Sequence, residues 1–127
     1  LYLNGLLVGS NAFTGSFRSI GDDENNYLGR SNWSSDGYFH GEMDEVRVWK
    51  VALTAEQIRE NLLKQLTGNE PGLVGLWNFD DETARDASPA GHHGTLVEGA
   101  RCVPATLPGG PAELLLPTVL PASDGKS

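Results

Sequence analysis

Apolar positions in the first eight residues fall in two short runs, Leu1-Tyr2-Leu3 and Leu6-Leu7-Val8, parted by Asn4-Gly5. Asn and Gly best tolerate the positive φ that a two-residue hairpin turn needs at both central positions, so the pattern predicts a β-hairpin. Short strands are also predicted at Phe17 to Ile20 and Tyr27 to Gly29, divided by the polar loop Gly21 to Asn26; Ser31 to Asp36 reads as a loop leading to Tyr38-Phe39. From Glu42 to Trp49 the pattern alternates. Asp44, Val46 and Val48 point one way, Met43, Glu45, Arg47 and Trp49 the other, and the alternation assigns Val46 and Val48 to the core.

The period then changes from two to about 3.6. Thr54 can cap a helix whose third residue, Gln57, reaches back to it, Leu53 and Ile58 stand at the staple positions, and Ile58, Leu62 and Leu66 form a stripe closed by Gly68. A helix is therefore predicted near residues 55 to 66. Leu73 to Phe79 is apolar on both faces and reads as a covered strand. An acidic, small-residue loop from Asp80 to His93 precedes a last short strand, Gly94 to Glu98. Many short strands with frequent turns and a single helix predict an all-β, antiparallel sandwich or jelly roll. Five of the seven prolines lie between Pro104 and Pro121. Proline that dense cannot hold a sheet ladder, so 104–127 reads as a Pro-rich linker.

Composition narrows the partners. Nine basic side chains stand against 17 acidic ones, a formal charge of -8, with no Lys/Arg run anywhere. That leaves no electrostatic footprint for a phosphate backbone, and nucleic acid is not an expected partner. No apolar run approaches the roughly 18 residues that a membrane-spanning helix needs, so membrane insertion is not expected. Cys102 is the only cysteine, which excludes an internal disulfide framework. The chain opens on Leu1 within an expected strand and reads as a piece of a longer polypeptide.

Four segments carry a resemblance: Leu3-Asn4-Gly5; Tyr27-Leu28-Gly29-Arg30; the run from Gly37 to Trp49; and Leu53-Thr54-Ala55-Glu56-Gln57-Ile58. In this order they resemble the closing half of the laminin-G-like jelly roll of the concanavalin A-like lectin/glucanase superfamily, over residues 1–67. Gly72 to Asp80 and Asp86 to Leu96, within 72–98, are similar to the opening segment of the same domain. The second segment either completes the first sheet or begins a tandem neighbour, and the resemblance makes 1–103 a partial, truncated jelly roll. It implies a non-catalytic binding or adhesion module of an extracellular or cell-surface multidomain protein, with a glycan, an extracellular protein or neighbouring domains of its own chain as partners. An architectural spacer without a ligand is the alternative.

Candidate chemistry follows from the same residues. Glucanases of the superfamily carry Glu-x-Asp-x-x-Glu on one strand, and Glu42-Met43-Asp44 matches its start. The second Glu is replaced by Arg47, and a guanidinium cannot serve as acid or base near neutral pH, so no catalytic residue is assigned. Glu45 and Arg47, two apart on one face, are instead expected to pair with each other or a neighbouring strand. The resemblance implies a calcium ion, for which Asp86, Asp44 and the carbonyls of Gly91 and His92 are the candidate ligands. Asp22, Asp23 and Glu24 read as solvated charge. Adjacent His92-His93 and isolated His40 have no partners at zinc spacing. Sugar binding needs an exposed ring among polar groups, and Trp33, with Asn32 and Asp36, is the candidate. Trp49 and Trp77 lie within expected strands and are assigned to the core.

Overall fold

A computed structural model of the chain describes residues 1–16 and 25–104. The strand expected at Phe17 to Ile20, the acidic trio Asp22 to Glu24 and most of the Pro-rich segment lie outside those residues. Four strands and one helix are formed among the described residues: β1 (Tyr2–Leu3), β2 (Leu6–Leu7), β3 (Val46–Trp49), α1 (Ala55–Asn61) and β4 (Leu73–Trp77).

The hairpin forms where the Asn-Gly pair required it. Tyr2 faces Leu7 and Leu3 faces Leu6. Asn4 and Gly5 adopt φ of 50° and 76°, the left-handed pair that matches the twist of flanking strands. Gly5 has a second duty, because a Cβ there would come within 2.7 Å of Arg59 Cγ on α1, so the turn lies against the helix.

α1 is shorter than its apolar stripe. The capping box is complete: Gln57 N–H donates to Thr54 Oγ1, and Thr54 N–H donates to Gln57 Oε1 at 2.8 Å. The helix ends at Leu62, before the predicted stop at Gly68. Leu66 is nevertheless buried, in irregular chain beyond the helix. Arg47 of β3 meets the end of the helix, its guanidinium donating to the carbonyls of Asn61 and, just beyond, Lys64. A cation at a helix C-terminus satisfies orphan carbonyls and opposes the negative end of the helix dipole.

That contact reverses the facing expected for β3. Since Arg47 turns toward the helix, alternation sends Trp49 to the same side, where it packs on the buried cluster Leu66, Leu73 and Leu76. Val46 is only half-buried and Val48 is 47% exposed, so the valines are not the core pair. The strand also begins only at Val46, because Glu45 has φ 50° and breaks the extended run.

β4 pairs antiparallel with β3, Val46 opposite Trp77 and Val48 opposite Gly75, with an irregularity before Trp49, which faces Leu73. As its two-sided apolarity predicted, β4 is the best-covered strand, with Leu76 at 0% exposure. The broader expectation of two stacked sheets is not met among the described residues: the strands form two separate two-stranded sheets. Tyr27–Gly29, Tyr38-Phe39 and Gly94–Glu98 are irregular rather than strands. A two-stranded ribbon is marginal in water by itself. Here the helix, the Trp49 side chain and a hydrogen-bonded loop beside β4 supply the missing cover.

Candidate functional site

Two loop regions hold the residues singled out from sequence, and they are built differently. The first follows β4. Asp86 is 1% exposed, and each of its carboxylate oxygens accepts two hydrogen bonds. Oδ1 takes Leu76 N–H at 2.9 Å and Ser88 N–H at 2.8 Å; Oδ2 takes Ser88 Oγ–H at 2.9 Å and His92 N–H at 2.8 Å. Burial by itself would raise this carboxyl's pKa, but the backbone N–H groups of Leu76, Ser88 and His92 and the Ser88 hydroxyl outweigh it and hold the pKa at about 2. The turn is locked further: Ala87 N–H donates to Leu76 O, Gly94 N–H to Ala84 O, Asp86 N–H to His93 Nδ1, and the Trp77 indole N–H to His92 O at 3.1 Å. The Trp77 ring lies over Gly75, where a Cβ would meet it at 2.6 Å.

Gly68 seals the other side of this loop. Its φ is 93°, and a Cβ there would sit 2.4 Å from the Ala87 carbonyl oxygen. Glu70 holds that approach in place by accepting from Thr67 N–H and Gly68 N–H at 2.8 and 3.0 Å. Desolvation works against the ionised Glu70, yet the Thr67 and Gly68 donors win and lower its pKa.

The second region runs from Asn25 to Asp44. Asp36 N–H donates to Trp33 O at 3.1 Å, closing a four-residue turn whose ends lie within about 7 Å of each other. The indole and the Asp36 carboxylate therefore spring from the two ends of one turn. Trp33 N–H is tied to Ser31 Oγ, while the ring is 73% exposed. Asn32 donates its side-chain amide to Asn25 O at 3.1 Å. Sequence reasoning placed Trp33, Asn32 and Asp36 on one loop; the turn joins Trp33 and Asp36 through the main chain, and Asn32 precedes it, tied to Asn25.

Beside this turn Arg30 is stacked between two rings, its guanidinium carbon 4.8 Å from the Tyr27 centroid and 5.8 Å from that of Tyr38. Glu98 faces the same guanidinium at 4.0 Å. A hydrogen bond to the Glu98 carboxylate and its charge raise the Tyr38 phenol pKa, only partly offset by Arg30. Phe39 N–H donates to Gly29 O and fastens the two halves of the loop. Nothing in the sequence spacing announced the stack, since Glu98 lies far along the chain.

Residues 1–59 match the laminin G-like family of the concanavalin A-like lectin/glucanases superfamily. No curated protein and no solved structure gives a match to the chain. The laminin G-like match takes in the hairpin, the Trp33 turn, β3 and most of α1, and stops before β4 and the Asp86 loop. Domains of this family are in general non-catalytic modules that bind extracellular ligands.

The laminin G-like resemblance also implied calcium, and the four residues named for it do not fit a cation. All four acceptor positions of Asp86 are engaged by N–H and O–H donors, which present positive hydrogens where a cation would sit. The carbonyl of Gly91 accepts from His93 N–H, and that of His92 from Trp77. Asp44 stands apart, its carboxylate accepting from Glu45 N–H beside the groove between β3 and α1. No group of three or more His, Cys, Asp or Glu side chains gathers among the described residues. The sequence does hold a signal for Asp86's use: Asp followed two residues on by Ser, before Pro, is the pattern of a side chain closing its own turn.

The position corresponding to the glucanases' second carboxylate is likewise committed. Arg47 Nη2 lies 2.6 Å from Glu45 Oε2, the expected pair, to which Nε also donates, while Nη1 and Nη2 donate to Asn61 O and Lys64 O at and just beyond the end of the helix. A groove of about 620 Å³ borders this pair, lined also by Trp49, Leu53, Ile58 and Leu62. Glu42 is exposed and makes no side-chain contact with a second carboxyl among the described residues. This arrangement holds structure together and offers no paired acid and base.

Proposed function

We propose that the chain is part of a non-catalytic carbohydrate-recognition module of an extracellular multidomain protein, and that the Trp33 turn is its contact point. The observation that carries this reading is the 73% exposed indole at one end of a hydrogen-bonded turn whose other end is the Asp36 carboxylate. A flat aromatic face stacks on the C–H face of a pyranose, and Asp36 and Asn32 of the same loop are the proposed acceptors for its hydroxyls. Loops held on a scaffold are where binding residues concentrate. The laminin G-like match covers this turn and supports the binding-module class. The jelly-roll architecture implied by that match is part of the same reading, with β3 and β4 as two of its strands.

The test is retention of the whole chain on an immobilised glycan array, comparing wild type with Trp33→Ala and Trp33→Tyr. Signal that disappears with Ala and returns with Tyr supports the reading. Equal signal from wild type and Trp33→Ala, or none from either, leaves the spacer alternative in its place.

A further inference from the structure

The loop that carries Trp33 also carries an acceptor sequence for covalent modification. Asn32-Trp33-Ser34 is the one Asn-x-Ser/Thr triplet in the chain, and its middle residue is not proline. Such a triplet is what N-linked glycosylation requires: the Asn amide takes the sugar, and the hydroxyl two residues on is read with it. Triplets of this kind also arise by chance, so placement decides. All three residues are exposed and lie outside any helix or strand. The Ser34 hydroxyl makes no hydrogen bond among the described residues. Asn32 stands one residue before the turn closed by Asp36 N–H and Trp33 O, and its amide makes one exposed bond, to Asn25 O at 3.1 Å. An exposed bond of that kind is exchanged for bonds to water at little cost, so a sugar on Nδ2 is accommodated without opening any buried contact.

Resting on the extracellular part of the reading above, we propose that Asn32 carries an N-linked oligosaccharide. The donor is a lipid diphosphate-linked oligosaccharide. Asn32 Nδ2 forms a bond to C1 of its first sugar, and the C1–O bond to the diphosphate breaks. The lipid diphosphate leaves with that electron pair, one amide proton passes to a base of the transferase, and nothing is oxidised or reduced. Trp33, Tyr38 and Phe39 of the same loop region are exposed large apolar side chains. A hydrated oligosaccharide anchored in that loop limits the contact of this apolar surface with other chains.

The experiment is the full chain behind a secretory leader in a secreting eukaryotic cell line, recovered from the medium and weighed intact before and after peptide-N-glycosidase, beside Asn32→Gln, Ser34→Ala and Ser34→Thr. The expected result is a wild-type fraction heavier than the 13.6 kDa chain by a whole oligosaccharide. The glycosidase should remove that mass and leave a carboxylate at position 32, and both Asn32→Gln and Ser34→Ala should lack the heavy species. Wild type recovered wholly unmodified overturns the proposal. Modification of Ser34→Thr alone overturns it too, because the natural triplet is then unused, and a heavy species that persists in Ser34→Ala places the sugar elsewhere. The extracellular reading fails by a different result: the natural chain missing from both the medium and the surface-biotinylated fraction of its source cells. Glycan-array retention of Trp33 variants is read on chain made without the sugar, so that reading is decided separately.

Discussion

The loop after β4 and the loop from Asn25 to Asp44 are both polar, both rich in turns and both anchored by an aspartate, yet they are opposites physically. Asp86 is buried and every acceptor position it has is filled; Asp36 is exposed and has no ion-pair partner among the described residues. Trp77 has its indole N–H tied to His92 O and its ring laid over Gly75, whereas Trp33 is tied only through its backbone and leaves its ring in water. The difference separates a loop that holds the fold from one that the proposed function assigns to binding. A carboxylate that accepts from three backbone N–H groups and a hydroxyl of its own chain has no acceptor position left for a ligand. Residue type alone does not distinguish the two uses.

The contrast can be broken most severely at Asp86. Replacing it by Ala strands the N–H groups of Leu76, Ser88 and His92, and a loss of about 4 kcal/mol is expected from urea unfolding followed by Trp fluorescence. A loss under about 1 kcal/mol would mean that water reaches these donors and that the loop is no tighter than the Trp33 turn. Next comes Gly68→Ala, which puts a methyl 2.4 Å from a backbone oxygen at φ 93°. About 3 kcal/mol should be lost, because the atom it meets is main chain and cannot rotate away.

Acid sharpens the comparison more gently. The Asp86 pKa of about 2 lies below the 3.9 of an unfolded Asp, so its contribution is complete above the unfolded value and disappears as pH falls from about 4 through 2. At 1.36 kcal/mol per unit this amounts to about 2.6 kcal/mol, and the lowered carboxyl of Glu70 acts in the same direction. Melting points recorded between pH 5 and 2 should fall steeply in wild type and less so in Asp86→Asn; parallel slopes would assign the acid sensitivity elsewhere. The smallest effect is expected at Trp33→Ala, where stability should change by less than about 0.5 kcal/mol. A large loss there would make the ring part of the fold and remove it as a binding group.

Elements specified by neighbours in sequence were legible in advance: the Asn4-Gly5 hairpin, the Thr54/Gln57 capping box, the covered character of Leu73 to Trp77, and the Glu45–Arg47 pair. The loop that carries Trp33, Asn32 and Asp36 was legible as a loop, since its polarity and small residues are local. Alternation correctly divided β3 into two faces but could not say which was inner. That choice was made by Arg47 reaching the end of a helix 14 residues on, and it turned Val48 outward.

Local pattern, then, determined the turns, the helix start and the exposed aromatic loop, because φ preferences, capping and polarity act within a few residues. Tertiary structure decided which aspartate is a keystone and which is free, where the helix stops, and how the charge of Arg30 is spent. Each of those depends on a backbone N–H, a carbonyl or a carboxylate brought in from a distant part of the chain, and hydrogen bonding and ion pairing act only once the partners are within a few ångströms.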